Sequence, residues 1–429
     1  MPDMLLAHLG RYAYEMDNYS MTTYLLVTLS VALCGVDDTP RYVFINKAPG
    51  IEWHAGQPES FTRSGFEEIR DTIAAPDNPA LRVGVSFVFD FFRYDLNTVA
   101  ESLELYLTLS EETSVPVLVN LDGMNWWEGR PDLWNWWDPN QPGYNPENRN
   151  NVEWSGWGAE HAVKIGWRNW GSQIRVLPMM NMASPVVIKA HQETLRKLLP
   201  IITKWWRGLP EDKKWLLGGV KLGHEASIGI NAFYYPNGNA LANKPTSEDP
   251  TYGLDFNKGW HGGVQPLGYA AVATSGIKDS GDLTRHDIAR VVHDYLVMLT
   301  EEAHTAGLPQ ELVYTHQGGT YAPWEKTLPF DPAFTPHATP GWSFYFCDPA
   351  SAEGLADLLQ TKSNGRWAAV EWWWQGDNEA GWRDHFERTL NFQDCRSITI
   401  YNWNCGFKFR EQPAGIAALR RLLRNRKGE

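Results

Sequence analysis

Eight short β-rich runs, separated by longer stretches of helical periodicity, constrain this chain more than any other feature. The runs are Tyr42–Asn46, Leu81–Phe91, Val115–Leu121, Gly219–Glu225, Glu311–His316, Trp342–Phe346, Arg366–Trp372 and Ser397–Trp403. Their near-continuous apolar character, rather than strict alternation, suits parallel strands covered by helices on the outside. Helical patterns fall at Ser60–Ala74, Leu96–Ser110, Pro185–Arg207, Thr284–Ala306, Ala350–Lys362, Ala380–Phe392 and Pro413–Arg424. Ser184 before Pro185 places a capping side chain just ahead of proline at the first helical position. Gly318–Pro340, with five prolines, reads as a loop where a fifth helix would stand. No linker interrupts the series. The pattern predicts an α/β fold, a single (β/α)8 barrel of the TIM type over residues 41–429, with 1–40 as an N-terminal extension.

The length beyond a minimal barrel sits in two loops, Asp122–Ala183 after strand three and Ala226–Leu283 after strand four. Both leave the C-terminal ends of strands, the face on which barrel active sites form. The first holds nine of the chain's 22 Trp, and the second holds Phe233, Tyr234, Tyr235, Tyr252, Phe256, Trp260 and Tyr269. A core does not need so many aromatic rings in loops. Partly exposed indoles suit ligands with flat apolar faces, and a carbohydrate is the expected partner. The net charge of −13 and the lack of a Lys/Arg run argue against nucleic acid and anionic membranes. Four cysteines without CxxC spacing are no disulfide scaffold and argue against a zinc site. No HxH or HExxH pair ends a strand, and no G-x-G-x-x-G follows an early strand, so neither a metal nor another cofactor is expected.

Two acids stand at strand ends. Glu225 closes strand four in LGHEAS, and Glu371 closes strand seven in AAVEWWW. Strands on different sides of an eight-stranded ring can point such groups at each other across its mouth. A carboxylate in that setting is costly unless paired, hydrogen-bonded or functional. Two facing carboxylates suit glycosidic cleavage, one protonating the leaving oxygen and the other attacking or stabilising the anomeric carbon.

With strand order, GHE at 223–225, VEWWW at 370–374 and YNWN at 401–404, residues 41–425 resemble the clan of retaining TIM-barrel glycoside hydrolases. The resemblance implies Glu225 as acid/base, Glu371 as nucleophile, and Trp403 as an aromatic floor under the sugar. The clan usually carries Asn just before the acid/base, where this chain has His224. Other expected substrate contacts are Asp122, Trp126, Trp127, His316, Tyr345, Trp373, Asn402 and Tyr234. Asp122 has the alternative of capping its Asp-Gly turn. Alternation places Trp373 on the side of Glu371 and Trp372 opposite. His316 or Tyr345, by donating to Glu371, would keep it ionised, while Glu225 would titrate higher beside that charge. Arg93 could serve Glu371 in the same way.

A non-catalytic carbohydrate-binding barrel is the rival reading, and a transglycosylase would use the same two glutamates. Thr23–Val36 is apolar but short of the roughly 20 residues of a membrane span. It reads either as an element packed on the domain or as the core of an export signal starting at Met21. An extracellular glycan is the favoured setting, with no stable membrane insertion.

Overall fold

A computed structural model describes residues 40–74, 78–169, 173–234, 262–318 and 329–424. The apolar run 23–36 and the aromatic residues Tyr235, Tyr252, Phe256 and Trp260 lie outside them. The barrel strands are β1 (Arg41–Lys47), β2 (Leu81–Asp90), β3 (Val117–Asp122), β4 (Leu217–Ala226), β5 (Val313–Gln317), β6 (Gly341–Tyr345), β7 (Arg366–Trp373) and β8 (Asp394–Tyr401). Each pairs in parallel with its neighbours in chain order, and β8 returns to β1, so the ring closes. The predicted (β/α)8 barrel is the observed fold.

Around it lie α1 (Arg63–Ile73), α2 (Leu96–Thr113), α3 (Pro185–Gly208), α4 (Arg285–Thr305), α5 (Leu355–Ser363), α6 (Glu379–Asn391) and α7 (Pro413–Arg424). The starts of α1, α2, α3, α4 and α6 are set by side chains that satisfy free backbone N–H groups. Ser184 caps α3 with Pro185 behind it, and Thr284 and Asp287 form a reciprocal capping box on α4. Between β5 and β6 the described residues hold only a 3-10 turn, Asp331–Ala333. Among the described residues no helix is long and apolar enough to cross a membrane.

Side chains two residues apart on a strand share a face, so each strand feeds the barrel interior in layers. Tyr42, Phe44, Leu118, Tyr314, Ala368 and Val370 form an apolar floor separate from the main core. Gly218 is required there: a Cβ would lie 2.3 Å from the Phe44 ring. One step up, Asn46, Ser86, Asn120, Lys221 and His316 make a buried polar layer. Asn120 donates to Ser86 (2.6 Å) and Ser86 to Asn46 (3.1 Å). Burying so many polar groups is tolerable only because they bond one another.

The long loops are stitched together above the mouth. Glu153, fully buried in the first, accepts from the Gly268 N–H (2.9 Å) at the head of the short helix Tyr269–Thr274 in the second. Trp157 Nε1 donates to the Gly281 carbonyl (2.7 Å). Burial pushes the Glu153 carboxyl up to about 8. The folded state therefore holds a proton that the unfolded chain releases near its ordinary value. Stability from this group is complete below that ordinary value and drains away as pH rises toward about 8. Glu153→Gln, which does not titrate, is expected to flatten the fall of denaturation midpoint across that window. An unchanged slope would show that Glu153 contributes nothing to it.

Candidate active site

Both strand-end acids reach the barrel mouth because their strands break register. On β4, Leu222 pairs with Thr315 and Ala226 with Gln317, so Gly223, His224 and Glu225 stand opposite the single residue His316. Gly223 (φ +76°) and Glu225 (φ +52°) take left-handed backbone, which is strained for a glutamate. The Glu225 N–H is satisfied by His316 Nδ1 (3.1 Å). On β7 the pairing with β8 shifts between Ala369 and Trp372. Val370 faces the apolar floor and Glu371, the next residue, also turns inward. The bulge supplies the inward turn that alternation alone would deny it.

Glu371 is 3% exposed. Tyr345 donates to its Oε2 (2.7 Å), and Ser343 Oγ lies 3.3 Å from the same atom. Ser343 Oγ is also 3.4 Å from Glu225 Oε1, so one hydroxyl bridges the two carboxylates. His224 Nε2 lies 3.5 Å and Lys221 Nζ 3.9 Å from Glu371 Oε1, and burial and then the charges of Glu371 and Glu225 push the nearby Tyr401 hydroxyl up. His316, fully buried, does not reach Glu371 directly; its Nε2 lies 2.8 Å from Ser343 Oγ. Burial, and then the charge of Glu225, pushes the Glu371 carboxyl up against the opposing pull of Lys221, Tyr345 and Ser343. This corrects the expectation that its donors hold it low. Desolvation outweighs them, and Glu371 keeps a proton past the usual carboxylate range.

The remaining expected contacts divide. Asp122 caps its own turn, accepting from the Met124 N–H (2.8 Å) and the Asn125 N–H (3.4 Å). Asn125 ties this turn to β4 by donating to the His224 carbonyl (2.7 Å). Asn402 accepts from Asn46 (2.6 Å) beside the polar layer. Trp126 is half-buried, with the Arg93 guanidinium 5.0 Å from its ring centre. Arg93 pairs with Asp90 (3.4 Å) rather than with Glu371. Tyr234 belongs to an antiparallel hairpin, Ile230–Tyr234 with Gly262–Pro266, and its side chain lies outside the described set.

Three indoles are corrected. Trp127, Trp373 and Trp403 are each 1% exposed. Trp127 packs in the core under its own loop, its carbonyl accepting from Trp134 Nε1 (3.0 Å). Trp403 packs toward Phe409 rather than flooring an open pocket. Trp372 stacks outward on Phe386 of α6, and Trp373 meets Trp382 of the same helix edge-on at 5.4 Å. Phe407, however, stacks on Trp373 at 4.9 Å and takes the exposed position in its place. Phe407 meets Phe346 edge-on at 5.2 Å. These two are among the few large apolar side chains left exposed, and Phe346 holds φ +58° to be there. Phe346 directly follows Tyr345, so this aromatic ledge borders the acid pair. Sequence reading missed it, along with Ser343, Tyr401 and Lys221. For Lys221 the signal was a charged residue inside the apolar run GVKLGHE.

Among the described residues one trio, His224, His316 and Glu371, brings possible metal-ligand atoms within 4.8 Å of one another. Lys221 Nζ already lies 3.2 Å from His224 Nδ1 and 3.1 Å from His316 Nδ1. A metal ion there would meet an ammonium, so the trio does not fit a cation site.

No protein-family model matches the chain, and no curated protein matches it in sequence. Among solved structures it is similar to the catalytic domain of a β-amylase from Paenibacillus polymyxa, at 9% identity and TM-score 0.45, over 86% of this chain and 94% of that one. It is also similar to a glycoside hydrolase family 5 enzyme from Prevotella bryantii B14, at 10% identity and TM-score 0.41, over 90% and 96% of the two chains. A broad-specificity endoglucanase from an uncultured bacterium follows at 9% identity and TM-score 0.39, over 96% and 99%. At these values the chemistry rests on this chain's own residues.

Proposed function

We propose that the chain is a retaining glycoside hydrolase, with Glu371 as nucleophile and Glu225 as acid/base. The observation that carries the reading is the Ser343 hydroxyl between two carboxylates at the C-terminal mouth of a closed barrel. Their nearest oxygens cannot be farther apart than the sum of those two contacts. That ceiling holds for the nearest oxygens and allows the about 5–5.5 Å between carboxyl groups that direct attack needs. The environments differ in the sense the roles require. Glu371 is sunk among donors that can share its charge, whereas Glu225 is half-buried, where a leaving group can reach it. In the first step Glu371 bonds the anomeric carbon as the glycosidic C–O bond breaks, and Glu225 passes its proton to the departing oxygen. In the second, Glu225 takes a proton from water, which displaces Glu371.

The test is covalent labelling. A panel of 2-deoxy-2-fluoro glycosides with activated leaving groups, spanning common hexoses and xylose in both anomers, is incubated with the chain. Peptide mass mapping should place one glycosyl adduct on Glu371. Complete absence of labelling, with sugar binding retained, would favour the carbohydrate-binding barrel. Product analysis with added acceptors separates hydrolysis from transfer.

The ledge supplies an apolar face for a sugar ring beside the acid pair. Phe346→Ala and Phe407→Ala are each expected to raise KM about 5- to 30-fold, as a lost stacking contact of about 1–2 kcal/mol would. The thermal midpoint should hold, because both rings are exposed. A lowered midpoint with unchanged KM would make them packing residues.

A further inference from the structure

Lys221 sits at the centre of β4 with no solvent exposure, on the layer just above the apolar floor. A lysine is rarely buried in this way unless its ammonium is fully bonded. Here Nζ lies 3.2 Å from His224 Nδ1, 3.1 Å from Tyr401 Oη and 3.1 Å from His316 Nδ1, whose one lone pair it shares with the Glu225 N–H.

The directions of these bonds fix more than the lysine. His316 Nδ1 accepts from Lys221 and also from the Glu225 N–H, so its single proton must be on Nε2. That N–H donates to Ser343 Oγ, whose own proton is then free to go to a carboxylate. Burial holds His316 well below its usual titration range, so it stays neutral and keeps this tautomer. His224 Nδ1 likewise accepts from Lys221, which puts a proton on the Nε2 that faces Glu371 Oε1. Tyr401 accepts from Lys221, and burial and then the charge of Glu371 push its hydroxyl up, so it keeps its proton.

We propose that Lys221 is a positioning residue whose ammonium orients His224 toward Glu371 and holds the Tyr401 hydroxyl beside it, while His316, fixed by the Glu225 N–H, completes the donor set through Ser343. The ammonium thus counters the burial of Glu371 twice, by its charge 3.9 Å away and by the donor set it organises. The groups facing it are Asp122 from β3, His224 and Glu225 from β4, His316 from β5, Glu371 from β7 and Tyr401 from β8. Burial lowers Lys221 to about 8 while Glu371, Glu225 and Asp122 hold it up, so the ammonium is intact at neutral pH. The role assigned to Glu371 rests on the glycosidase reading. The tautomers do not, and they can be read whether or not a glycoside is turned over.

Nitrogen-15 NMR of histidine-labelled full-length protein, assigned with His224→Gln and His316→Gln, reads them directly at pH 7. Both rings should carry hydrogen on Nε2 and none on Nδ1. In Lys221→Met, His316 should keep this tautomer because the Glu225 N–H still holds its Nδ1, whereas His224 should become a mixture. On a glycoside found by the labelling screen, the acidic limb of kcat/KM for Lys221→Met should move up by about one pH unit as Glu371 loses ionised-state partners. A proton on Nδ1 of either ring in the parent protein overturns the proposal. So does a folded Lys221→Met with both tautomers and the acidic limb unchanged. If the variant does not fold, the parent spectrum decides. Loss of glycosidase activity in the parent, with the predicted tautomers present, would sink the glycosidase reading and leave the Lys221 array standing.

Discussion

Glu371→Ala is expected to lower turnover of every glycoside by about 10⁴-fold or more, the scale on which removal of an irreplaceable nucleophile acts. The loss should not depend on leaving group, because no aglycone, however activated, replaces the attacking oxygen. The truncated side chain leaves a space lined by Ser343, Tyr345 and Tyr401. Added azide should enter it, attack the anomeric carbon, and release a glycosyl azide of inverted configuration. Product configuration is the deciding measurement. A Glu371→Ala protein with near-normal activity, or rescue with retained configuration, would remove Glu371 from the nucleophile role. In the parent enzyme kcat/KM should fall as pH drops, since attack needs the ionised carboxylate. The limb should lie above the usual carboxylate range, because burial and Glu225 raise this group.

Glu225→Ala should divide substrates by leaving group. Natural glycosides, whose departing alcohol needs a proton, should slow by about 10²–10⁴-fold. Aryl glycosides with acidic phenols should keep a fast first step and then stall, because the second step has lost its base. A burst of phenol followed by slow steady release is the expected trace, with azide accelerating the slow phase. Uniform slowing of both substrate classes would mean that Glu225 positions rather than transfers a proton. Glu225 carries a backbone φ of +52°, so the alanine variant's thermal midpoint should be recorded alongside.

The two acids were legible in the sequence because each is a charged residue at the end of an apolar strand run. A chain gains little by placing a carboxylate there unless something at the mouth uses it. How they turn toward each other was not legible. Strict alternation from Val370, which faces the floor, would send Glu371 outward into the helices; the register shift before Trp372 turns it in. On β4 three residues stand opposite one, which brings both His224 and Glu225 to the mouth. Bulges depend on how neighbouring strands pair across the closing ring, and that is not a local property of either strand.

The aromatic loops show the same limit from the other side. Indole-rich loops drew attention to the C-terminal face, but Trp127 and Trp403 pack inward, and among the described residues the exposed rings beside the acid pair are Phe346 and Phe407. Composition measures how much aromatic surface a loop carries. Which ring is left facing solvent depends on what the loop packs against. Arg93 likewise has the right chemistry to serve Glu371 and is held instead by Asp90 at the end of its own strand.

What the sequence determined by itself is the ring of eight parallel strands, the caps that start several helices, and the pair of acids at the mouth. Each follows from local pattern, apolar runs of strand length, Ser/Thr/Asp before helices, and charge after apolar runs. Only the tertiary structure decided that Lys221, His316, Ser343, Tyr345 and Tyr401, from β4, β5, β6 and β8, close around Glu371 from β7. These residues lie up to 180 positions apart, as Lys221 and Tyr401 do. Their meeting is set by where strand tilt and register place each side chain along the barrel axis, a quantity that exists only once the sheet has closed.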